Sequence, residues 1–144
     1  MPGHPRPPLL SGMFPFRRLA VWQKAHELTL RVYQVTDGAA QHRFPALSSQ
    51  LRRSIASIPA NIAEGAGHAS QAQFNRFLEI ALASAREADY HLLLARDLGL
   101  LTPKVYAGLE ARVSEVQQML SGLRRRVLEQ ATRARAPRSS RAAK

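Results

Sequence analysis

The sequence predicts an all-α protein, an antiparallel up-down-up-down bundle of four helices. Three observations support this fold. The last quarter of the chain carries apolar residues at steps of three and four, which only a helix places on one face: Tyr106, Leu109, Val113, Val116, Leu120, Leu123 and Val127. Three earlier segments repeat this spacing, and no segment shows the apolar-polar alternation of a strand. The links between the four segments are short, which favours antiparallel neighbours.

The first helix is predicted over residues 18–37. Its apolar stripe consists of Val21, Ala25, Leu28, Val32, Val35 and Ala39. Gly38 is suited to end this helix because glycine adopts the left-handed conformation readily. Pro45 lies in the link that follows, where a proline is typical of a loop.

The second helix is predicted over residues 47–64, with the stripe Leu51, Ile55, Ile58 and Ile62. Pro59 lies inside this pattern. An interior proline removes one backbone hydrogen bond and costs about 3 kcal/mol in an exposed helix. We therefore predict that the second helix is kinked or broken near Pro59. The polar residues Ser54, Ser57 and Asn61 are candidates to satisfy the carbonyls that the proline frees.

The third helix begins after Ser70, a good N-cap, and Gln73 completes a capping box. Gly99 is its expected C-terminal cap. Its stripe consists of Phe74, Leu78, Ala81, Ala85, Ala88, Leu92 and Ala95, and further apolar residues lie off that stripe: Phe77, Leu82, Leu93, Leu94 and Leu98. An apolar arc of this width predicts a helix that is central in the bundle or shared with another subunit.

The fourth helix begins at Thr102 as N-cap, with Pro103 in the first helical position, and continues to about Gln130. Beyond it the apolar spacing is lost. We therefore divide the chain into a disordered leader (residues 1–16), a four-helix bundle (17–131) and a disordered basic tail (132–144).

Composition narrows the functional classes. The chain has no cysteine, which excludes disulfides, thiolate metal sites and cysteine nucleophiles. No apolar run approaches the roughly 18 residues that cross a bilayer, and the start lacks the apolar core of a signal peptide. We expect a cytoplasmic protein that does not engage a membrane.

Positive charge is concentrated at the end of the chain. The formal net charge is +11, and residues 124–144 hold eight basic residues against one acid, Glu129. Such a segment attracts polyanions with a steep dependence on salt. It is equally compatible with a tail that only keeps the protein soluble.

The candidate nucleic-acid contacts are arginines that occur in pairs or in a triplet: Arg17, Arg18, Arg52, Arg53, Arg124, Arg125 and Arg126. The triplet surrounds a packed helix whose stripe continues at Val127, so it is a candidate phosphate clamp. For the two pairs, ordinary surface charge is the alternative interpretation. Aromatic residues are scarce in the basic segments, which argues against single-strand stacking.

The chain offers no constellation for catalysis or metal binding. No two of the five histidines are three or four residues apart, and no Glu-x-x-His sequence occurs. The Gly65-Ala66-Gly67 sequence lacks the preceding strand and the Gly-Lys ending of a phosphate loop. We expect a protein that is not an enzyme and has no metal or cofactor. Asn61 and Glu64 near Pro59 cap a broken helix locally or, less simply, form a binding site.

Three stretches carry a family resemblance: LAVWQKA over residues 19–25, QLRRSIASIPANIAEG over residues 50–65 and FNRFLEIALASARE over residues 74–87. Together they resemble the bacterial four-helix-bundle family of 23S rRNA-intervening-sequence proteins, over about residues 16–128. The most specific part contains Ser57, Pro59, Asn61, Glu64 and Gly65.

This resemblance implies an antiparallel four-helix protomer and, as in known relatives, a homopentamer. Some relatives are encoded within large-subunit rRNA genes, and one is an accessory protein of diversity-generating retroelements that binds a reverse transcriptase. Two functions are therefore expected as alternatives. One is a non-enzymatic scaffold that binds nucleic acid, structured RNA above all. The other is a protein-interaction adaptor, such as an accessory subunit for a reverse transcriptase.

Overall fold

A computed structural model describes residues 15–38, 42–68 and 70–135, and within these ranges there are four long helices and no strand. A short 3-10 turn at Phe16–Arg18 is followed by helices that we number α1 (Ala20–Val35), α2 (Pro45–Ala66), α3 (Gln71–Asp97) and α4 (Pro103–Arg135). The all-α, four-helix fold is confirmed. The parts of the expected leader and tail at residues 1–14 and 136–144 lie outside the described residues.

The four apolar stripes form one core. Each stripe residue that the structure describes is buried, except that Val35 and Tyr106 are half-buried, while Ala39 lies outside the described residues. Leu28, Leu51, Leu78 and Leu120 are fully buried, one from each helix. Burying such a side chain contributes about 1.5–3 kcal/mol relative to leaving it exposed. The core is therefore built from all four helices.

Polar contacts between side chains join neighbouring helices of the bundle. Ser54 in α2 meets His91 in α3 at 3.2 Å between Oγ and Nδ1. The Arg124 guanidinium of α4 lies 2.6 Å from the Glu79 carboxylate of α3. The Lys24 ammonium of α1 lies 3.3 Å from the Glu115 carboxylate of α4. These contacts tie α2 to α3, α3 to α4 and α4 to α1, while the antiparallel arrangement stays a prediction.

The predicted caps bound α3 and α4. The Ser70 hydroxyl accepts a hydrogen bond from the Gln73 backbone N–H at 3.0 Å, and the Thr102 hydroxyl accepts one from Val105 at 3.2 Å. After α3, Gly99 has a positive φ of 77°. The Leu100 N–H then donates to the Ala95 carbonyl at 2.8 Å, as in a Schellman motif. Local sequence therefore fixes where α3 starts and stops and where α4 starts.

Helix α1 is shorter than expected by two residues at each end and α2 ends two residues later, at Ala66, and three further differences have a physical reason. Pro45 is not a link residue but the first residue of α2, where its missing N–H costs nothing. Helix α4 reaches Arg135, past the expected end near Gln130, because alanine and arginine are good helix formers even without an apolar stripe. Phe16, expected in the leader, packs against the core and meets the Trp22 ring edge-on at 5.0 Å.

Helix α2 is continuous through Pro59, so the alternative of two short helices is wrong, and a kink there stays a prediction. The proline leaves the Ile55 carbonyl without its usual donor in the helix. The Thr29 hydroxyl of α1 lies 3.3 Å from that oxygen and 2.8 Å from the Ala25 carbonyl. The expected partners bond elsewhere. Ser54 donates to the Leu51 carbonyl and Asn61 donates to the Ser57 carbonyl, whereas the Ile55 carbonyl lies on the α1 side.

Gly65 allows α2 and α3 to approach closely. A Cβ atom at this position would lie 2.8 Å from the Phe77 Cβ and 2.9 Å from the Phe74 Cδ2. Real side chains do not approach so closely, and Phe74 belongs to the buried core, so it has little room to retreat. The glycine of the family-like segment therefore has a packing role.

We predict that Gly65→Ala destabilises the protein by about 1–3 kcal/mol, because the added methyl overpacks the α2–α3 contact. Gly108→Ala is the matched control, since nothing lies within 4 Å of its added Cβ on the exposed side of α4. This control should stabilise the protein by about 0.5–1 kcal/mol through helix propensity. Urea denaturation measures both. Equal stabilities for the two variants would contradict the packing role of Gly65.

A second prediction concerns Thr29 and Pro59. Thr29→Val removes the hydroxyl without changing the shape and should cost about 1–3 kcal/mol, because a buried carbonyl loses its donor. In a Pro59→Ala background residue 59 regains its N–H, so the same Thr29→Val change should cost less. The free energies of unfolding of the four proteins form a double-mutant cycle. An identical loss in both backgrounds would show that Thr29 does not serve the carbonyl of Ile55.

Candidate nucleic-acid interface

The start of α1 and the second half of α4 enclose a groove, here called the α1–α4 groove, of about 630 Å³. Its arginines are Arg18 on one side and Arg125 and Arg126 on the other. Arg18 is held in place because the next residue, Leu19, is buried. Arg125 and Arg126 are exposed because the core positions of α4 on either side of them, Leu123 and Val127, turn the helix so that they point outward.

The charge of the α1–α4 groove is mainly positive. Three guanidinium groups face one carboxylate, Glu129. The side chains of Arg18, Arg125 and Arg126 form no hydrogen bond or ion pair with any residue that the structure describes. Helix α1 also begins at this groove without a side-chain cap and without an acid in its first turn, which adds the positive end of its dipole. The groove is suited to an anion that brings several oxygens.

A second groove lies between α3 and α4 and is here called the α3–α4 groove. It shares Arg125 with the first groove and adds Arg86 from α3. The sequence alone did not single out Arg86, because an isolated arginine on a helix is indistinguishable from ordinary surface charge. Only the packing of α3 on α4 brings it onto the same surface as Arg125.

Arg52 and Arg53 lie elsewhere. The Arg52 Nε donates to the Thr36 hydroxyl at 2.9 Å, and its guanidinium lies 4.7 Å from the centre of the Tyr33 ring. This places both arginines at the end of α1 opposite to Arg18. Arg53 is exposed, whereas Arg52 ties α2 to α1. The predicted set of arginines is therefore split between two ends of the bundle.

The arginine triplet and the first pair are also divided. Arg124 donates to the Glu79 carboxylate at 2.6 Å and to the Asn75 side-chain oxygen at 3.0 Å, so it joins α4 to α3. Arg17 is exposed, and its guanidinium lies 5.7 Å from the Phe16 ring centre. Arg18, Arg125 and Arg126 remain as the arginines that share one groove.

The family-like segment makes internal contacts. The Asn61 amide donates to the carbonyl and the hydroxyl of Ser57, at 2.7 and 2.9 Å. The Ser57 hydroxyl meets that of Ser84 in α3 at 2.8 Å. Pro59 is buried and Glu64 is exposed. The expected capping of a broken helix by Asn61 and Glu64 does not occur, because α2 is continuous, and the main consequence of the segment is the α2–α3 packing.

One side-chain group resembles a catalytic arrangement but has a structural role. Besides its contact with His91, Ser54 donates to the Leu51 carbonyl at 3.1 Å, and His91 Nε2 lies 4.0 Å from the Glu87 carboxylate. Ser54 is only 4% exposed, so a substrate has no path to its hydroxyl. These residues hold α2 against α3.

Among the described residues, no three acidic or histidine side chains come together as a metal site would require. None of the helices in the same ranges has a stretch both long and apolar enough to cross a bilayer.

Comparison with known proteins shows similarity to a protein family and to a solved structure. The model of a family described as 23S rRNA-intervening sequence protein matches residues 17–122. A protein of unknown function from the S23 ribosomal protein family of Bacteroides thetaiotaomicron, known from a crystal structure, is 28% identical, with a TM-score of 0.66. The similarity covers 72% of this chain and 97% of that one. No curated protein matches the chain.

Proposed function

This chain belongs to the family of 23S rRNA-intervening sequence proteins, and on that basis we propose that it is a homo-oligomeric helical scaffold without enzymatic activity that binds structured RNA. Its basic surface residues contact the phosphates, and it acts in the cytoplasm. The observation that carries the proposal is the α1–α4 groove, where Arg18, Arg125 and Arg126 line one surface and have no ion-pair partner among the described residues.

The guanidinium groups of these arginines are suited to phosphate recognition. Arginine binds phosphate oxygens through a planar fork of donors. Neutralising several phosphates releases counterions and makes affinity fall steeply with salt. Such contacts position a nucleic acid without reading its bases.

The groove walls also favour a helical over a single-stranded ligand. The α1–α4 and α3–α4 grooves are lined by arginine, glutamine, serine, glutamate and aliphatic residues, and no aromatic residue is among the lining residues that the structure describes. Proteins that bind single strands usually stack bases on aromatic rings. Helical RNA, by contrast, is recognised mainly through its shape and backbone.

A homopentamer is the proposed assembly. Its support is the apolar surface that the protomer leaves exposed: Leu30, Tyr33, Ile80, Tyr90, Leu98 and Leu128. Two of these residues, Ile80 and Tyr90, lie on α3, the helix whose apolar arc is too wide for one seam, and Leu98 is the C-cap of that helix. Self-association would cover such residues and repeat the basic grooves around a ring.

The alternative is an adaptor for another protein, such as a reverse transcriptase of a diversity-generating retroelement. The observation in its favour is Tyr90, which is 60% exposed on α3. Exposed tyrosines are common anchors of protein interfaces.

The assembly proposal predicts a native particle of five times the 16.0 kDa chain mass. Native mass spectrometry at low micromolar concentration measures this directly. Tyr90→Glu places a charge on the exposed face of α3 and should shift the particle to smaller species. Glu27→Lys, on an exposed site of α1, is the control that should leave the mass unchanged. A monomer for the unaltered chain would contradict the ring.

The RNA proposal predicts that Arg18→Ala with Arg126→Ala weakens binding and lowers the slope of log K against log salt by about 2, one for each phosphate contact. Fluorescence anisotropy with a duplex RNA at several salt concentrations measures this change. The matched control is Arg31→Ala with Arg53→Ala, which removes the same charge from exposed sites outside both grooves. Equal losses in the two double variants would mean that net charge, and not the groove, attracts the RNA.

A further inference from the structure

The α3–α4 groove is lined mainly by neutral hydrogen-bonding side chains, in contrast to the arginine-rich α1–α4 groove. Its volume is about 480 Å³. Leu82 is its apolar wall, and its polar residues are Arg86, Ser114, Gln117, Gln118, Ser121 and Arg125. The two glutamines and two serines carry both donors and acceptors.

These neutral residues form a row along α4. Ser114, Gln117 or Gln118, and Ser121 follow at steps of three or four, so they lie one above another on one face of the helix. They are exposed or half-buried, and within the described ranges none makes a side-chain hydrogen bond. Their hydrogen-bonding capacity is available to a ligand.

Two arginines lie at different heights along this row. Glu79 pairs with Arg124, and Arg96 lies over the Tyr106 ring, which fixes the register of α3 against α4. In that register Arg86 lies at the level of Gln117, eight residues from Arg125. A helical rise of 1.5 Å per residue separates the two arginines by roughly 12 Å along the axis. Gln118 and Ser121 lie between them.

We propose that the α3–α4 groove binds the minor groove of duplex RNA and recognises its ribose 2′-hydroxyls. The minor groove of A-form RNA is wide and shallow and displays the 2′-hydroxyls between two phosphate backbones. Arg86 and Arg125 contact phosphates on the two strands, while Gln117, Gln118 and Ser121 exchange hydrogen bonds with the 2′-hydroxyls between them. The 2′-hydroxyl is both donor and acceptor, which matches amide and hydroxyl side chains.

This inference rests on the proposed RNA-binding function and assigns a different role to each of the two grooves. The α1–α4 groove attracts phosphates of RNA and DNA alike. The α3–α4 groove supplies the contacts that DNA lacks, so it accounts for a preference for RNA. Arg125 belongs to both grooves and makes the surface continuous.

The test compares one duplex RNA with the DNA duplex of the same sequence by fluorescence anisotropy, with the full chain in its native assembly. Gln117→Ala with Ser121→Ala removes two hydrogen-bonding groups and no charge. We expect the Kd for RNA to rise about fivefold to thirtyfold, as for two lost hydrogen bonds of ordinary strength. The Kd for DNA and the salt slope should not change, because the phosphate contacts are intact.

The matched control is Gln34→Ala with Ser49→Ala, which removes the same side-chain types from exposed positions on α1 and α2. It should bind RNA as the unaltered chain does. Circular dichroism melting of both double variants confirms that the fold is kept.

Each result has a defined meaning. A loss for RNA alone supports the inference. An equal loss for RNA and DNA overturns it, because the groove then contacts only features that the two duplexes share. Unchanged binding of both duplexes by the Gln117→Ala, Ser121→Ala variant also overturns it, while the phosphate-binding function stands. If the unaltered chain binds neither duplex, the proposed function itself is wrong and this inference with it.

Discussion

The burial of one apolar stripe from each of four helices is the constraint on which the rest of this molecule depends. Because helical residues at steps of three and four share a face, the choice of buried positions also decides which residues point outward. Val127 and Leu123 face the core, and that alone turns Arg125 and Arg126 toward solvent. The same packing on α3 places Leu78 inside and Glu79 where it meets Arg124. The charged surface is therefore a consequence of the core.

Close contact between α2 and α3 is the most specialised part of that core. Gly65 gives Phe74 and Phe77 the space that a side chain would occupy. A short row of polar contacts, through Ser57 and Ser84 among others, runs along the same interface. Hydrogen bonds of this kind add little net stability but penalise shifted packings that leave polar groups without partners. The family-like segment therefore determines how α2 and α3 pack against each other.

Much of the fold is predictable from sequence because its determinants are local. The stripes, the N-caps at Ser70 and Thr102 and the positive φ at Gly99 all follow from neighbouring residues. What the sequence does not reveal depends on contacts between distant segments. Nothing near Pro59 indicates that Thr29, on another helix, donates to the carbonyl that the proline frees. Likewise, the sequence does not distinguish the three consecutive arginines. In the packed bundle Arg124 pairs with Glu79, whereas Arg125 lines both grooves.

The contact between Thr29 and the Ile55 carbonyl has a consequence for how the chain folds. A segment with the sequence of α2 lacks one backbone hydrogen bond because Pro59 has no N–H. In isolation this segment therefore forms a less stable helix than its length suggests. The Thr29 hydroxyl of α1 donates to the carbonyl that lacks a partner. Helix α1 precedes α2 in the chain and leaves the ribosome first. Helix α2 is therefore more stable when it is packed against α1 than on its own. This raises the cooperativity of folding and disfavours partly formed states in which α2 has detached.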